Sequence, residues 1–147
     1  MNFTYSSLIN APIEKVWQFH EREDILQILT PPWQPVEIVR REGGLEVGAV
    51  SEFRIWIGVI PVTWIARHIE CEPYHVFVDR QESGPLHSWI HRHEFRSESE
   101  KTRLTDSIEY AVTDNESVNS LLNGWVNARL TDMFRYRHRV TEQALER

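Results

Sequence analysis

The sequence is poor in the features that define several large classes of protein. It has a single cysteine, Cys71, so no disulfide can form within the chain, and its formal net charge of −6 comes without any cluster of lysine and arginine. This lack argues against nucleic acid as the main partner, because phosphate binding requires a basic face. No apolar run approaches the ~20 residues of a membrane span. The opening segment MNFTYSSLIN lacks a charged and apolar leader, so we expect a cytoplasmic protein.

The chain also lacks the short motifs of common catalytic and nucleotide-binding folds. There is no G-x-S-x-G elbow, no phosphate-binding glycine loop and no dinucleotide fingerprint. Cys71 lies between Glu70 and Glu72, whose negative charges disfavour a thiolate. We therefore expect neither a covalent nucleophile nor a cofactor.

What the sequence does contain is a clear change of periodicity. A chain of 147 residues is expected to form one domain, residues 1–147. Alternation of apolar and polar residues predicts seven strands, over 2–9, 36–41, 50–57, 62–71, 75–82, 88–98 and 102–112. Helical spacing predicts two short helices after the first strand, over 13–20 and 21–29, and one long helix over 117–146.

These elements predict an α+β fold. Short turns join the last six strands, which makes an antiparallel meander, and a sheet of seven twisted strands curves strongly. A helix of about thirty residues reaches roughly 45 Å, enough to cover such a sheet. Because one helix cannot fill the whole concave face, we expect a cavity between helix and sheet.

The long helix predicts its own buried face. At about 100° per residue, its apolar side chains gather within roughly half of the circumference. This stripe consists of Val118, Leu121, Leu122, Trp125, Val126, Leu130, Met133, Tyr136, Val140 and Ala144. His138 falls on the polar half, and the basic run 135–139 is interpreted as complementing the helix dipole. Arg129 projects into the stripe, so it either snorkels to the rim or presents a cation to the cavity.

The last hairpin predicts a polar group on the inner face of the sheet. If Ser99 and Glu100 form the centre of the turn, the register of the two strands is fixed. The predicted pairs are Phe95 with Leu104, His93 with Asp106, His91 with Ile108, and Trp89 with Tyr110. All eight side chains then share one face, and Asp79 joins them if the preceding strand keeps its alternation.

Three interpretations of this inward polar group stay open. In the first, Asp106 holds His93 in one tautomer within a buried network. In the second, the group is a polar patch that orients a mostly apolar guest. In the third, His91 and His93 ligate a metal, but the sequence offers no certain third ligand, so no metal is assigned.

Three segments carry a resemblance to a known superfamily. They are I-N-A-P-I-E-K-V-W at 9–17, P-Y-H-V-F-V-D-R-Q-E-S-G-P-L-H-S-W-I-H-R-H-E-F at 73–95, and M-F-R-Y-R at 133–137. Together they resemble the START-like superfamily, also called SRPBCC, which includes polyketide cyclases and dehydratases, lipid-transfer domains and coenzyme Q-binding proteins. The resemblance implies the helix-grip fold, in which a curved antiparallel sheet grips the long C-terminal helix around a hydrophobic cavity.

Two functions from different classes are compatible with this fold. The first is binding of a hydrophobic or aromatic small molecule, such as a lipid, an isoprenoid quinone or a polyketide-like compound. The second is acid–base catalysis of the cyclase or dehydratase type, with His93 oriented by Asp106 and with Arg129 steadying a developing enolate. The predicted ligand-binding residues are Asp79, Trp89, His91, His93, Asp106, Tyr110, Trp125, Arg129 and Met133. We favour binding because a His–Asp pair makes an equally good buried hydrogen bond.

Overall fold

A computed structural model describes residues 1–146, which form three helices and seven strands. In chain order the elements are β1 (Asn2–Ile9), α1 (Ile13–His20), α2 (Ile25–Leu29), β2 (Val36–Glu42), β3 (Val50–Ile57), β4 (Ile60–Glu72), β5 (Val76–Ser83), β6 (Ser88–Glu98), β7 (Lys101–Ala111) and α3 (Glu116–Leu145). Every predicted strand is present, with its ends shifted by at most two residues.

All seven strands belong to one antiparallel sheet, in the order β1-β7-β6-β5-β4-β3-β2. The first strand therefore pairs with the last, and β1 and β2 are the two free edges of the described sheet. The long helix α3 packs along β1 and against α1 and α2. This is the helix-grip arrangement, so the predicted α+β fold class is confirmed.

The β6–β7 hairpin has the predicted register. Ser99 and Glu100 occupy the turn with φ angles of 49° and 69°, the positive values that tight two-residue hairpin turns require. His93 pairs with Asp106, and the neighbouring pairs follow the same register. A local turn thus decides which side chains of β6 and β7 face the core.

The first helix closes one part of that core. Pro12 precedes it, where the missing N–H leaves no hydrogen bond unmade. Val16 and Trp17 then pack into a cluster with Phe95, and the rings of Trp17 and Phe95 lie 5.0 Å apart. The second helix begins only at Ile25, four residues later than predicted, because residues 21–24 form turns.

The long helix α3 is buried along only half of its length. Its first turn is capped by Asn115, whose side-chain oxygen accepts hydrogen bonds from the backbone N–H groups of Ser117 and Val118. Residues 116–129 include no buried residue. The buried residues of α3 all lie beyond them: Leu130, Phe134, His138 and Thr141.

The predicted buried face of α3 is wrong by roughly a third of a turn. Trp125, well inside the predicted stripe, is 65% exposed, and Leu121, at one edge of the stripe, is 85% exposed. His138, assigned to the polar half, is 3% exposed. The apolar residues of the N-terminal half dominated the helical wheel, yet none of them is fully buried, although Val126 packs against a core cluster. The C-terminal half instead buries a polar side chain that finds hydrogen-bond partners.

Candidate functional site

Three neighbouring strands place four titratable side chains on the inner face of the sheet. Asp79 on β5 lies opposite His91 on β6, and His93 on β6 lies opposite Asp106 on β7. The side chains of His91 and Asp106 are 5% and 7% exposed, whereas those of His93 and Asp79 are 12% and 15% exposed. The structure thus brings these four predicted site residues together, with one edge of the group less deeply buried than the other.

The carboxylate of Asp106 contacts three imidazoles. Its Oδ1 lies 2.7 Å from Nε2 of His91 and 3.2 Å from Nδ1 of His93, and its Oδ2 lies 2.6 Å from Nε2 of His138. Burial alone would raise the pKa of Asp106, but the hydrogen bonds from His138, His91 and His93 hold it well below its ordinary value. Asp106 is therefore an anion inside the core.

The imidazole of His93 lies between two carboxylates. Its Nε2 is 2.8 Å from Oδ2 of Asp79, while its Nδ1 faces Asp106. A neutral imidazole has only one N–H, so donating toward both carboxylates requires the protonated ring. Burial lowers the pKa of His93, but the hydrogen bonds to Asp106 and Asp79 outweigh it and raise the pKa above its ordinary value. For Asp79, burial raises the pKa, and the bond from His93 reverses that shift.

His91 is the neutral member of the group. Its ring stacks on that of His93, with centroids 3.6 Å apart and an interplanar angle of 27°. Burial and then the charge of His93 lower the pKa of His91, against the raising effect of Asp106. Nε2 of His91 therefore carries the hydrogen that Asp106 accepts, and its Nδ1 keeps a lone pair. Potential ligand atoms of Asp79, His91 and His93 lie within 4.8 Å of one another, so this trio could hold a metal ion.

His138 on α3 is the member of the network that sequence reasoning missed. Its Nε2 donates to Asp106, and its Nδ1 lies 2.5 Å from the hydroxyl of Ser7 on β1, which acts as the donor there. The signal in the sequence was its spacing. His138 follows Phe134 by four residues and precedes Thr141 by three, which puts all three on one helical face.

Two predicted ligand-binding residues on α3 lie elsewhere. Trp125 is 65% exposed, and the side chain of Arg129 is 59% exposed and pairs with Asp132, Nη2 to Oδ2, at 3.2 Å. Both face away from the sheet because α3 is rotated relative to the predicted orientation. The prediction that Arg129 presents a cation to the interior is wrong, as is the inward placement of Trp125.

The structure supplies an inward cation at Arg137 instead. Arg137 lies eight residues after Arg129, which turns it by roughly 80° around the helix. Its guanidinium carbon lies 5.2 Å from the centre of the Phe134 ring. Within residues 1–146 its buried Nε has no hydrogen-bond partner. Burial lowers the pKa of Arg137, and the nearby carboxylates of Asp106 and Asp79 partly offset that effect.

Trp89, Tyr110 and Met133 lie inside, as predicted. Tyr110 is buried with Phe134 in one cluster, against which Trp89 and Met133 pack. The Tyr110 hydroxyl donates a hydrogen bond of 2.7 Å to the side chain of Asn127 on α3. Trp89 and Tyr110 therefore lie on the sheet beneath the middle of α3, and Met133 packs onto this cluster from the helix.

A row of aromatic side chains extends from Trp89 across the sheet. Trp64 on β4 meets Trp89 edge to face at 5.2 Å, and Phe53 on β3 stacks on Trp64 at 5.9 Å. We call Phe53, Trp64 and Trp89 the aromatic row; all three are half-buried. A recess of about 670 Å³, which the aromatic row does not line, opens between the segment from Trp33 to Pro35 and the β3–β4 turn. The ring of Trp33 also packs against that of Tyr136 on α3, with the ring centroids 5.6 Å apart.

Sequence comparison assigns the chain to a family. The family described as "Polyketide cyclase / dehydrase and lipid transport" matches residues 9–145, and the chain belongs to it. A comparison with curated proteins gives no match. Among residues 1–146, no helix combines the length and the apolar composition that crossing a membrane requires.

Solved structures share the fold over nearly the whole chain. The Zhui aromatase/cyclase from a Streptomyces species is 17% identical with a TM-score of 0.72, over 99% of this chain and 96% of that one. A protein from Thermus thermophilus is 17% identical with a TM-score of 0.73, over 99% of this chain and 100% of that one. A nucleoside-diphosphate sugar epimerase from Corynebacterium glutamicum is 26% identical with a TM-score of 0.70, over 96% of this chain but only 28% of the epimerase. Identities this low support a shared fold rather than a shared chemistry.

Proposed function

We propose that the chain binds an aromatic or otherwise apolar small molecule with an acidic group, in the space between the aromatic row and α3. The observation that carries this proposal is that the row is only half-buried, while residues 116–129 of α3 include no fully buried side chain. A guest that removes these rings from water gains roughly 25 cal/mol for each Å² of apolar surface covered. Membership of a family described by polyketide cyclases, dehydrases and lipid transport agrees with an apolar guest.

The acidic group is argued from Arg137. A guanidinium stays charged at any working pH, and a buried donor without an acceptor costs about 1 to 3 kcal/mol. Nε of Arg137 is such a donor within residues 1–146. His138, the next residue, faces β1 and β7, and Arg137 points about 100° around the helix from it. A carboxylate or enolate on the guest would accept its hydrogen bond.

Arg41 provides a second guanidinium with the same feature. It pairs with Ser51 across β2 and β3, and Ser51 shares its face of the sheet with Phe53, two residues along. Arg41 therefore lies on the side of the aromatic row, and its buried Nη2 has no hydrogen-bond partner in the described part of the chain. Two cations with unmet hydrogen-bonding capacity favour an anionic guest over a neutral one.

Acid–base catalysis by His93 and Asp106 stays a prediction. Both ring nitrogens of His93 face carboxylates, so this imidazole has no free lone pair with which to accept a proton from a guest. Donating a proton would require the guest to displace Asp79 or Asp106. Arg129, the predicted partner of a developing enolate, is exposed. Binding therefore fits the geometry better than catalysis does.

Two fluorescent probes test the proposal. Anilinonaphthalene sulfonate and phenylnaphthylamine share one aromatic skeleton and differ in the sulfonate. We expect Trp64→Ala to weaken both probes by about tenfold, because each loses the same ring contact. Arg137→Met should weaken the sulfonate alone, also by about tenfold. Trp125→Ala removes the same type of residue from the exposed side of α3 and should change neither affinity.

Each part of this experiment has an outcome that would contradict the proposal. Unchanged affinities in Trp64→Ala would overturn the binding surface. An equal loss of both probes in Arg137→Met would remove the acidic group from the proposal. Native mass spectrometry of protein purified from its own source provides a second readout, and a retained molecule that is basic or strongly polar would contradict both parts.

A further inference from the structure

We infer that Asp79, His91 and His93 form a binding site for a divalent transition-metal ion such as zinc, with Asp106 holding the two imidazoles in position. This site does not depend on the proposed guest. Its first support is the juxtaposition of the three side chains, whose potential ligand atoms all lie within 4.8 Å of one another. Two imidazoles and one carboxylate are a donor set that zinc and other first-row ions bind through three protein ligands.

Asp106 gives both histidines the tautomer that metal ligands need. Its Oδ1 lies 2.7 Å from Nε2 of His91 and 3.2 Å from Nδ1 of His93, so those two nitrogens carry the hydrogens. The remaining nitrogens are Nδ1 of His91 and Nε2 of His93. Nε2 of His93 contacts Asp79 on β5, and His91 lies directly opposite Asp79 across the β5–β6 pair. A carboxylate that accepts the outer N–H of each ligating histidine is the usual support of such a site.

The ion would take the place of a proton. Nε2 of His93 now donates to Oδ2 of Asp79 across 2.8 Å. A zinc ion about 2.1 Å from each atom in tetrahedral geometry holds them roughly 3.4 Å apart, so the pair needs to open by roughly 0.6 Å. One proton leaves His93 for the solvent as the ion binds. His91, stacked on His93 at 3.6 Å, must turn until its Nδ1 points at the ion.

Two members of the trio lie at the less buried edge of the polar group, and His91, with a side chain 5% exposed, lies behind them. The side chains of Asp79 and His93 are 15% and 12% exposed, whereas Asp106 behind them is 7% exposed. Three protein ligands and an edge that water can reach leave a fourth coordination position open. The site therefore has the form of an accessible centre rather than a closed structural one.

Titration of metal-free protein with zinc and cobalt(II) tests this inference. We expect one zinc ion per chain by calorimetry, with micromolar or tighter affinity, and visible absorption bands of a low-coordinate cobalt(II) ion. Asp106→Asn should weaken zinc binding by about 10- to 100-fold, as expected for an outer partner of the ligands. Asp79→Asn removes a ligand and should weaken it further. His75→Gln changes an exposed histidine and is the matched control.

Circular dichroism verifies that each variant folds. If Asp106→Asn does not fold, the stoichiometry of the wild-type protein and the affinity of Asp79→Asn still decide the question. Wild-type affinity no tighter than millimolar for both ions would overturn the site. Micromolar binding that survives Asp79→Asn and is lost in His75→Gln would place the ion on the surface and overturn it equally.

Discussion

The two halves of α3 belong to one continuous helix but lie in different environments. Residues 130–145 bury an aromatic ring and a histidine, Phe134 and His138, among β1, β6 and β7. Residues 116–129 include no fully buried residue, although Val126 and Asn127 contact the core, and they carry Leu121 and Trp125 on the solvent side. The difference shows that packing onto the sheet and exposure to solvent are divided between the two halves of the helix. The C-terminal half fastens α3 to the sheet, and the N-terminal half borders the space that we propose for a guest.

The largest expected effect contrasts one aromatic residue from each half. Phe134 is 1% exposed and contacts the rings of Phe3 and His91. Phe134→Ala should lower the free energy of unfolding by about 3 to 5 kcal/mol, because it leaves a cavity in the core. Trp125→Ala should change it by about 0.5 kcal/mol or less. Urea unfolding measures both, and similar losses would break the comparison.

Low pH should destabilise the fold through the buried side chain of His20. Burial lowers the pKa of His20 on α1 from 6.5 to about 4, with a smaller raising effect from the backbone carbonyl of Val16. The folded state thus binds this proton more weakly than the unfolded chain does. The contribution of His20 to stability is complete above pH 6.5 and falls by about 3 kcal/mol as the pH drops toward 4.

Urea unfolding at neutral pH and near pH 4.5 measures this loss. His20→Gln should flatten the dependence on pH, whereas Trp125→Ala, in the open half of α3, should keep the wild-type slope. An unchanged slope in His20→Gln would show that other groups control the acid sensitivity.

The next prediction tests whether His138 holds α3 on the sheet. His138→Ala removes a donor from buried Asp106 and an acceptor from Ser7. We expect a loss of about 2 kcal/mol in the free energy of unfolding, because buried polar atoms are left without partners. His87→Ala, at an exposed position, is the matched control. A loss no larger than that of the control would mean that His138 does not fasten the helix.

The smallest effect concerns the open half of α3. Gly124 lies inside the helix, and a Cβ at this position would meet no atom within 4 Å. Gly124→Ala should therefore raise the free energy of unfolding by about 0.5 to 1 kcal/mol through helix propensity alone. A destabilised variant would indicate that this half packs more closely than the structure shows.

The sheet could be predicted from the sequence because its determinants are local. A two-residue turn at Ser99 and Glu100, together with strict alternation, fixes the register that brings His93 opposite Asp106. Both signals lie within one short segment of chain. The fold class followed from the same alternation repeated along the sequence.

The orientation of α3 could not be predicted because it depends on distant partners. His138 is buried because two distant residues satisfy its ring nitrogens. Asp106, 32 residues away, accepts a hydrogen bond from it, and Ser7, 131 residues away, donates one to it. A helical wheel counts apolar residues and contains no term for such partners. It therefore placed Arg129 inside, whereas packing turns Arg137 inward. The aromatic row could not be predicted either, because its members lie on three different strands and meet only in the folded sheet.

The Asp106 carboxylate also sets an order of assembly. Its three imidazole partners come from β6 and α3, so the group is complete only after α3 has docked, and His138 within it also bonds Ser7 of β1. Contacts so distant in sequence form slowly. On the ribosome, a chain that has folded its hairpins but has not yet docked α3 keeps Asp106 hydrated and its inner face uncovered. Such an intermediate exposes apolar surface and is prone to aggregate until the last helix is in place and His138 has met Asp106.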